Sequence, residues 1–273
     1  MNKIGAHVSA AGKLSNAPFN AYKEGCECFQ FFSRPPQGGS AIKLHPEDVE
    51  LFKKRCSQYK LESYIHAPYY INFASLNSRI KQSSISVVRE ELERGSQLGV
   101  KYLMTHLGTA AGYKKRDQAI NEVIKSLNAC LKGYEGKTIF LIENTAGSGE
   151  LIGGDFKELK TILQGLQKHH VGICLDVMHA FGYGYTPQEL FNVFAKQIGM
   201  KYLKLIHAND SMVELGSKKD RHEHIGQGKI GIHGFALWLT DKRIKKINFI
   251  LETPIDKRVK DLKILKKLRC INK

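Results

Sequence analysis

Eight short apolar, β-branched or aromatic runs recur along the chain at a spacing of roughly 25–45 residues, and this rhythm constrains the fold more than any other feature. The runs are Ile4–Val8, Cys26–Phe32, Ser63–His66, Tyr102–His106, Thr138–Glu143, Val171–Asp176, Tyr202–His207 and Asn248–Glu252. Stretches of helical periodicity or polar helix formers separate them. Two carry start signals: Thr186-Pro187-Gln188-Glu189 reads as a capping box with proline at the first helical position, and Asp155-Phe156-Lys157-Glu158 as a similar cap. Strand then helix, eight times over, predicts one closed parallel (β/α)8 barrel, an α/β TIM barrel occupying residues 1–273 as a single domain. An open doubly wound sheet is the alternative. No linker, low-complexity tract or repeat divides the 273 residues, and with 42% hydrophobic and 25% charged residues they can bury one large core.

In such a barrel all strands run the same way, so their C-terminal ends converge on one mouth, where chemistry is built. The runs end near His7, at His66, at His106, at Glu143, at Asp176 followed by His179, at His207 and at Glu252, and a long loop after the seventh adds Asp220-Arg221-His222. Each residue alone has a bland reading as a satisfied core or surface group. As a set they do not, because His, Asp and Glu together are only 37 of 273 residues yet occupy seven of eight expected strand ends. Glu143, Asp176, Asp220 and Glu252 crowded together without cations would cost several kcal/mol. A divalent metal relieves that cost. Imidazole mixed with carboxylate and no thiolate favours zinc, with manganese or iron as the substitutes to exclude. Asp220 and His222, two apart in an extended loop, point the same way and can grip one ion. His66, His106, Glu143, Asp176, His179, His207, Asp220, His222 and Glu252 suffice, at about three protein ligands per zinc, for three ions with a carboxylate bridging two. Three Zn2+ would outweigh the four carboxylates by two charges, which suits a phosphodiester. Zinc makes hydroxide available near neutral pH, with no organic cofactor or nucleophilic side chain required.

Charge points the same way. Lys and Arg number 42 against 26 Asp and Glu, a net +16 that suits a polyanionic partner, although residues 241–273 supply half of it and could simply form a solvated helix face. The six cysteines, Cys26, Cys28, Cys56, Cys130, Cys174 and Cys270, contain no Cys-x-x-Cys pair and read as reduced thiols of a cytosolic or nuclear protein. Cys26 and Cys28 would share a strand face, but two thiolates make no zinc site. No apolar stretch approaches the ~20 residues of a membrane span, and the opening Met1-Asn2-Lys3-Ile4-Gly5-Ala6-His7 reaches a polar residue too soon for a signal h-region, so neither membrane insertion nor secretion is expected.

The segments Gly5-Ala6-His7-Val8-Ser9-Ala10-Ala11-Gly12, Ile142-Glu143-Asn144-Thr145-Ala146-Gly147, Cys174-Leu175-Asp176-Val177-Met178-His179-Ala180-Phe181 and Asn209-Asp210-Ser211 with Asp220-Arg221-His222 resemble the endonuclease IV family, the zinc-dependent apurinic/apyrimidinic endonucleases. The resemblance covers nearly the whole chain. It implies a trinuclear zinc barrel that incises double-stranded DNA 5′ to an abasic site in base excision repair, leaving a 3′-hydroxyl and a 5′-deoxyribose phosphate. By motif, His66, His106 and Glu143 would hold the first zinc, Glu143, Asp176, His207 and Glu252 the second, and His179, Asp220 and His222 the third. Glu143 and Glu252 are the expected catalytic carboxylates, with His7, Asn209 and Arg221 in supporting positions. A monomer is expected, in a nucleoid-associated cytoplasmic setting or in a nucleus.

An abasic nucleotide must leave the duplex to reach a barrel mouth, and apolar or aromatic wedges can hold the gap open. Tyr69 and Tyr70, in His66-Ala67-Pro68-Tyr69-Tyr70, stand at positions resembling the family's intercalating pair. In Phe32-Ser33-Arg34-Pro35-Pro36-Gln37-Gly38-Gly39 the chain departs from members with arginine where Gln37 stands. Arg34 is the expected phosphate contact of this loop, and Gly38-Gly39 suggests pliability. Gly147-Ser148-Gly149 with Gly153-Gly154 is no dinucleotide fingerprint and reads as a loop letting backbone approach the site. His224-Ile225-Gly226-Gln227-Gly228 is either a phosphate-binding run of amides or a plain turn. His45, His169, His170 and His233 read as surface or structural. Two rival functions remain: a sugar isomerase or epimerase on a related barrel, with one or two metals, and a DNA-binding barrel without catalysis.

Overall fold

The computed structural model describes residues 1–271, and eight of its strands close into a parallel barrel. In chain order the strands are β1 Ile4–His7, β2 Cys28–Phe31, β3 Glu62–His66, β4 Tyr102–Thr105, β5 Ile139–Glu143, β6 Val171–Asp176, β7 Leu203–His207, a hairpin pair β8 Asp210–Ser211 and β9 His222–Glu223, and β10 Asn248–Leu251. The ring runs β1-β10-β7-β6-β5-β4-β3-β2, as expected for a TIM barrel, and excludes the open sheet. Most of the expected runs overshoot at an end. Cys26 and Phe32 flank β2, while His106 and Glu252 stand one residue beyond β4 and β10.

Helices α1 Asn16–Lys23, α2 Pro46–Gln58, α3 Ser78–Leu98, α4 Arg116–Leu131, α5 Phe156–Gly165, α6 Val177–Tyr183, α7 Leu190–Gln197, α8 Gly231–Thr240 and α9 Arg258–Ile271 fill the intervals. Asp155 caps α5 as expected, its carboxylate accepting the Lys157 N–H at 2.8 Å. Residues 187–189 form a turn rather than helix, so α7 begins at Leu190; the Glu189 carboxylate still accepts the Thr186 N–H at 3.2 Å, half of the expected box.

Side chains alternate along a strand, so every second residue enters the barrel. One inward layer is apolar: Cys28, Tyr64, Met104, Leu141, Cys174, Leu205 and Ile250 pack together, sealed from the larger core between strands and helices. At the eighth position stands Gly5, where a Cβ would lie 1.6 Å from the Cys28 carbonyl oxygen, so only glycine fits. Two residues further along each strand lies the mouth layer: His7, Gln30, His66, His106, Glu143, Asp176, His207 and Glu252.

The basic C-terminal segment is partly neutralised within the fold. Arg258 pairs with Glu24 at 2.6 Å and Arg269 with Glu27 at 2.5 Å, tying α9 to the segment around α1 and β2. Lys257, Lys260, Lys263 and Lys267 stay exposed. Among the cysteines, Cys26, Cys28, Cys130 and Cys174 are buried, Cys56 is half-buried and Cys270 exposed; burial pushes the Cys26 thiol up to about 12. Cys26 precedes β2 and shares no strand face with Cys28. No described helix is long and apolar enough to cross a membrane.

Candidate metal centre

The mouth layer brings eight polar side chains from eight strands into one small volume. Glu143 lies at its centre: His66 Nε2 is 2.9 Å from Oε2, His207 Nδ1 3.0 Å from Oε1, and His106 Nε2 3.9 Å from Oε1. Ligand atoms fall within 4.8 Å of one another in three groups: His66, His106 and Glu143; Glu143, Asp176, His207 and Glu252; and Asp176, His179 and His222. Glu143 belongs to the first two and Asp176 to the last two. Asp220 stands beside the third group, 3.1 Å from His179 Nε2 and 3.4 Å from His222 Nε2. The nine residues singled out in the sequence therefore converge. A cavity of about 360 Å3 opens over them, bordered also by His7, Tyr69 and Arg258.

A profile of the xylose isomerase-like TIM barrel family matches residues 20–272. The chain is 39% identical over 261 residues to a probable endonuclease 4 of Aquifex aeolicus, covering 93% of this chain and 92% of that one. It is also similar to the crystal structure of endonuclease IV from Thermus thermophilus, with a TM-score of 0.86 and 31% identity over 98% of each chain. The chain belongs to the endonuclease IV family. An apurinic-apyrimidinic endonuclease of Caenorhabditis elegans is 35% identical over 272 residues, 96% of this chain and 68% of that protein.

In this endonuclease IV family member the mouth is charged in a way that calls for cations. Burial alone would raise the carboxyls of Glu143 and Glu252, yet the imidazoles around them, His207 foremost for Glu252 and His106 with His207 for Glu143, hold both well below the ordinary range. Burial likewise opposes charge on His179, but Asp176, Asp220 and Glu143 raise it to about 10. His179 in turn holds Asp220 at about 2 against the pull of burial. Positive charge thus favours these carboxylates where metal ions would fit, while burial holds His106 and His7 below the ordinary imidazole range. Two further observations test that fit: His179 Nε2 and His222 Nε2 are buried and make no well-directed hydrogen bond, and the donors are imidazole nitrogen and carboxylate oxygen throughout, a set suited to zinc.

Supporting contacts hold the ligands. Asn209 donates to Asp176 Oδ2 at 2.8 Å and accepts the Glu252 N–H at 2.7 Å, a bridge between two strand ends. Asn144 brackets the Asp176 backbone through both amide atoms, and its carbonyl oxygen lies 3.0 Å from His179 Nδ1. Arg221 is exposed and donates to the Asp220 carbonyl. Gln30, absent from the sequence reading, supplies the mouth residue of β2: it touches His7, His207 and Glu252. Its signal was a lone amide two residues after Cys28, in step with every ligand on the other strands.

The hairpin carrying Asp220 and His222 is anchored from below. The buried Asp210 carboxylate accepts N–H bonds from Gly226, Gly228, Ile230 and Gly231 at 2.8–3.2 Å. The His224–Gly228 run reads as a turn with every amide already taken: Gly226 and Gly228 donate to Asp210, His224 to Glu223, Ile225 to Asp261 and Gln227 to the His224 carbonyl. Adjacent, His224 Nδ1 sits 2.7 Å from Asp261 on α9.

Around the rim, Tyr69 is 64% exposed, its ring edge-on to Phe32 at 5.2 Å. Tyr70 is half-buried against the core, so the two tyrosines are unequal. Gln37 is exposed at the tip of the loop after β2. Arg34 is not: its guanidinium lies 2.6 Å from Glu90 and 2.7 Å from Glu91, and its side chain is 4% exposed. The expected phosphate contact from Arg34 is therefore replaced by an anchoring role. Ser33 and Ile42, at the two ends of the loop, are both bonded by Arg94 of α3. The Tyr69 N–H donates to the Pro36 carbonyl at 3.2 Å and joins this loop to the next. The Gly147–Gly149 loop pairs back through a Thr109–Leu151 bridge beside the mouth.

Proposed function

We propose that the chain is a zinc-dependent apurinic/apyrimidinic endonuclease acting in DNA repair. It hydrolyses the phosphodiester 5′ to an abasic site: water adds across the bond between phosphorus and the 3′-oxygen, leaving a 3′-hydroxyl and a 5′-deoxyribose phosphate. The observation that carries this reading is the fusion of three ligand groups through Glu143 and Asp176 beneath an exposed aromatic side chain. His66, His106 and Glu143 would hold one zinc, Glu143, Asp176, His207 and Glu252 a second, and His179, Asp220 and His222 a third with Asp176 close by. Zinc bound there supplies Lewis acidity toward a phosphodiester and brings the ionisation of water toward neutral pH.

The chain's own groups do the remaining work. Glu143 and Asp176 fix the spacing between groups by belonging to two of them, and Glu252 closes the second from the last strand. Tyr69 is free to wedge into the gap left by a missing base, with Tyr70 as its packed support and Gln37 at the neighbouring loop tip. The exposed lysines of α9 add sequence-independent attraction to duplex DNA. No organic cofactor enters this reading, and one chain contains every group it needs, so a monomer suffices. Such an enzyme works beside DNA, at a nucleoid or in a nucleus.

A duplex carrying one synthetic abasic site tests the reading. Expected is a single incision with a 3′-hydroxyl on the upstream fragment, abolished by chelator and restored by zinc. Sugar isomerisation without incision would favour the rival enzyme, and tight abasic-DNA binding without incision would favour the inert barrel.

A further inference from the structure

The second strand contributes no expected ligand, yet its mouth residue makes three side-chain hydrogen bonds within the layer. Gln30 is fully buried. Its Nε2 lies 2.7 Å from Glu252 Oε1 and 3.0 Å from His7 Nδ1, and its Oε1 lies 2.7 Å from His207 Nε2. The chemistry of the partners fixes how the amide points. A carboxylate only accepts, so the group facing Glu252 must be the NH2; the carbonyl oxygen then faces His207 and accepts its Nε2–H.

We propose that Gln30 is the positioning residue of the second metal group, an inference that rests on the zinc reading above. By accepting from Nε2 it fixes the imidazole tautomer of His207, so that Nδ1, 3.0 Å from Glu143 Oε1 and 3.2 Å from Glu252 Oε2, is the nitrogen left to bind metal. By donating to Glu252 Oε1 it leaves Oε2 turned toward the same centre. Its second N–H donates to His7 Nδ1, which leaves the proton of neutral His7 on Nε2. One amide thus orders three side chains from β1, β7 and β10, all of them neighbours in the ring. None of these contacts uses His207 Nδ1 or Glu252 Oε2, the atoms turned toward Glu143 and each other.

The test is a metal titration of wild type against Gln30→Met, which keeps the bulk and deletes every hydrogen bond. Metal-free proteins are titrated with zinc against a chromophoric chelator, and separately with cobalt(II), whose visible spectrum reports the coordination of each ion. Wild type should take up its full complement. In Gln30→Met one ion should bind about 10- to 100-fold more weakly, the range for lost outer contacts, with an altered cobalt spectrum, while the others bind as in wild type. Unchanged affinities and spectrum, even with a lowered melting temperature, would reduce Gln30 to packing and overturn the inference. If Gln30→Met does not fold, Gln30→Glu replaces it: the carboxylate can still accept from His207 but repels Glu252, so the same single ion should be weakened, and equal binding would overturn the inference. Failure of wild type itself to bind zinc would sink the zinc reading instead.

Discussion

The floor and the mouth of the barrel are built from the same eight strands, one pleat apart, and have opposite chemistry. The floor is a set of apolar side chains with one obligatory glycine at Gly5, packed out of reach of water. The mouth is a ring of imidazoles, carboxylates and one amide, each held by a partner on another strand. The contrast shows where stability and function reside. Removing floor atoms opens a cavity and costs stability, whereas changing a mouth ligand costs function.

The largest expected effect sharpens this contrast. Glu252→Gln should retain the fold and bind abasic duplex while incision falls by at least about 100-fold, the scale of lost transition-state charge stabilisation. Single-turnover cleavage together with a melting curve checks it, and unchanged cleavage would remove Glu252 from the catalytic set. Leu141→Ala, in the floor one pleat below Glu143, should do the reverse: a loss of about 2–5 kcal/mol in denaturant unfolding, with the folded fraction still cleaving. Comparable losses of activity in the two variants would mean that the layers are not separable.

Tyr69 and Tyr70 allow a finer division. Tyr69→Ala should cost about 1–3 kcal/mol in affinity for abasic duplex and little for intact duplex, where phosphate contacts dominate. Tyr70→Ala should lower stability as well, since that ring is packed on the core. Paired titrations at one salt concentration measure this, and equal losses on both duplexes would leave the tyrosines as loop supports.

The smallest effect concerns charge in the metal-free mouth. His179 is raised from 6.5 to about 10 in the fold, so its contribution to stability is fully present below about pH 6.5 and is lost as pH rises through about 10. In chelator, the stability gap between wild type and His179→Gln should therefore narrow between those values. A gap that widens with pH would mean that the imidazole is held neutral.

The sequence made the mouth legible wherever a ligand ends a strand, because barrel topology alone brings His66, Glu143 and His207 together from positions far apart. It hid Gln30, since an amide inside Cys28-Phe29-Gln30-Phe31 looks like ordinary strand until its two-residue offset from Cys28 is compared with the other strands. Arg34 read as a DNA contact because its partners, Glu90 and Glu91, lie on α3, distant in sequence, and only packing reveals that they claim it. The amides of Gly226, Gly228, Ile230 and Gly231 were obscured likewise, since their acceptor, Asp210, sits across a hairpin whose closure local sequence does not specify.

Elemental analysis of protein purified without chelator tests the central claim most directly, because the proposed function assigns one ion to each of three groups fused through Glu143 and Asp176. About three zinc ions per chain are expected, falling toward two when Asp220 or His222 is replaced. One ion per chain, or manganese alone, would contradict the trinuclear centre and return the barrel to the sugar-isomerase reading.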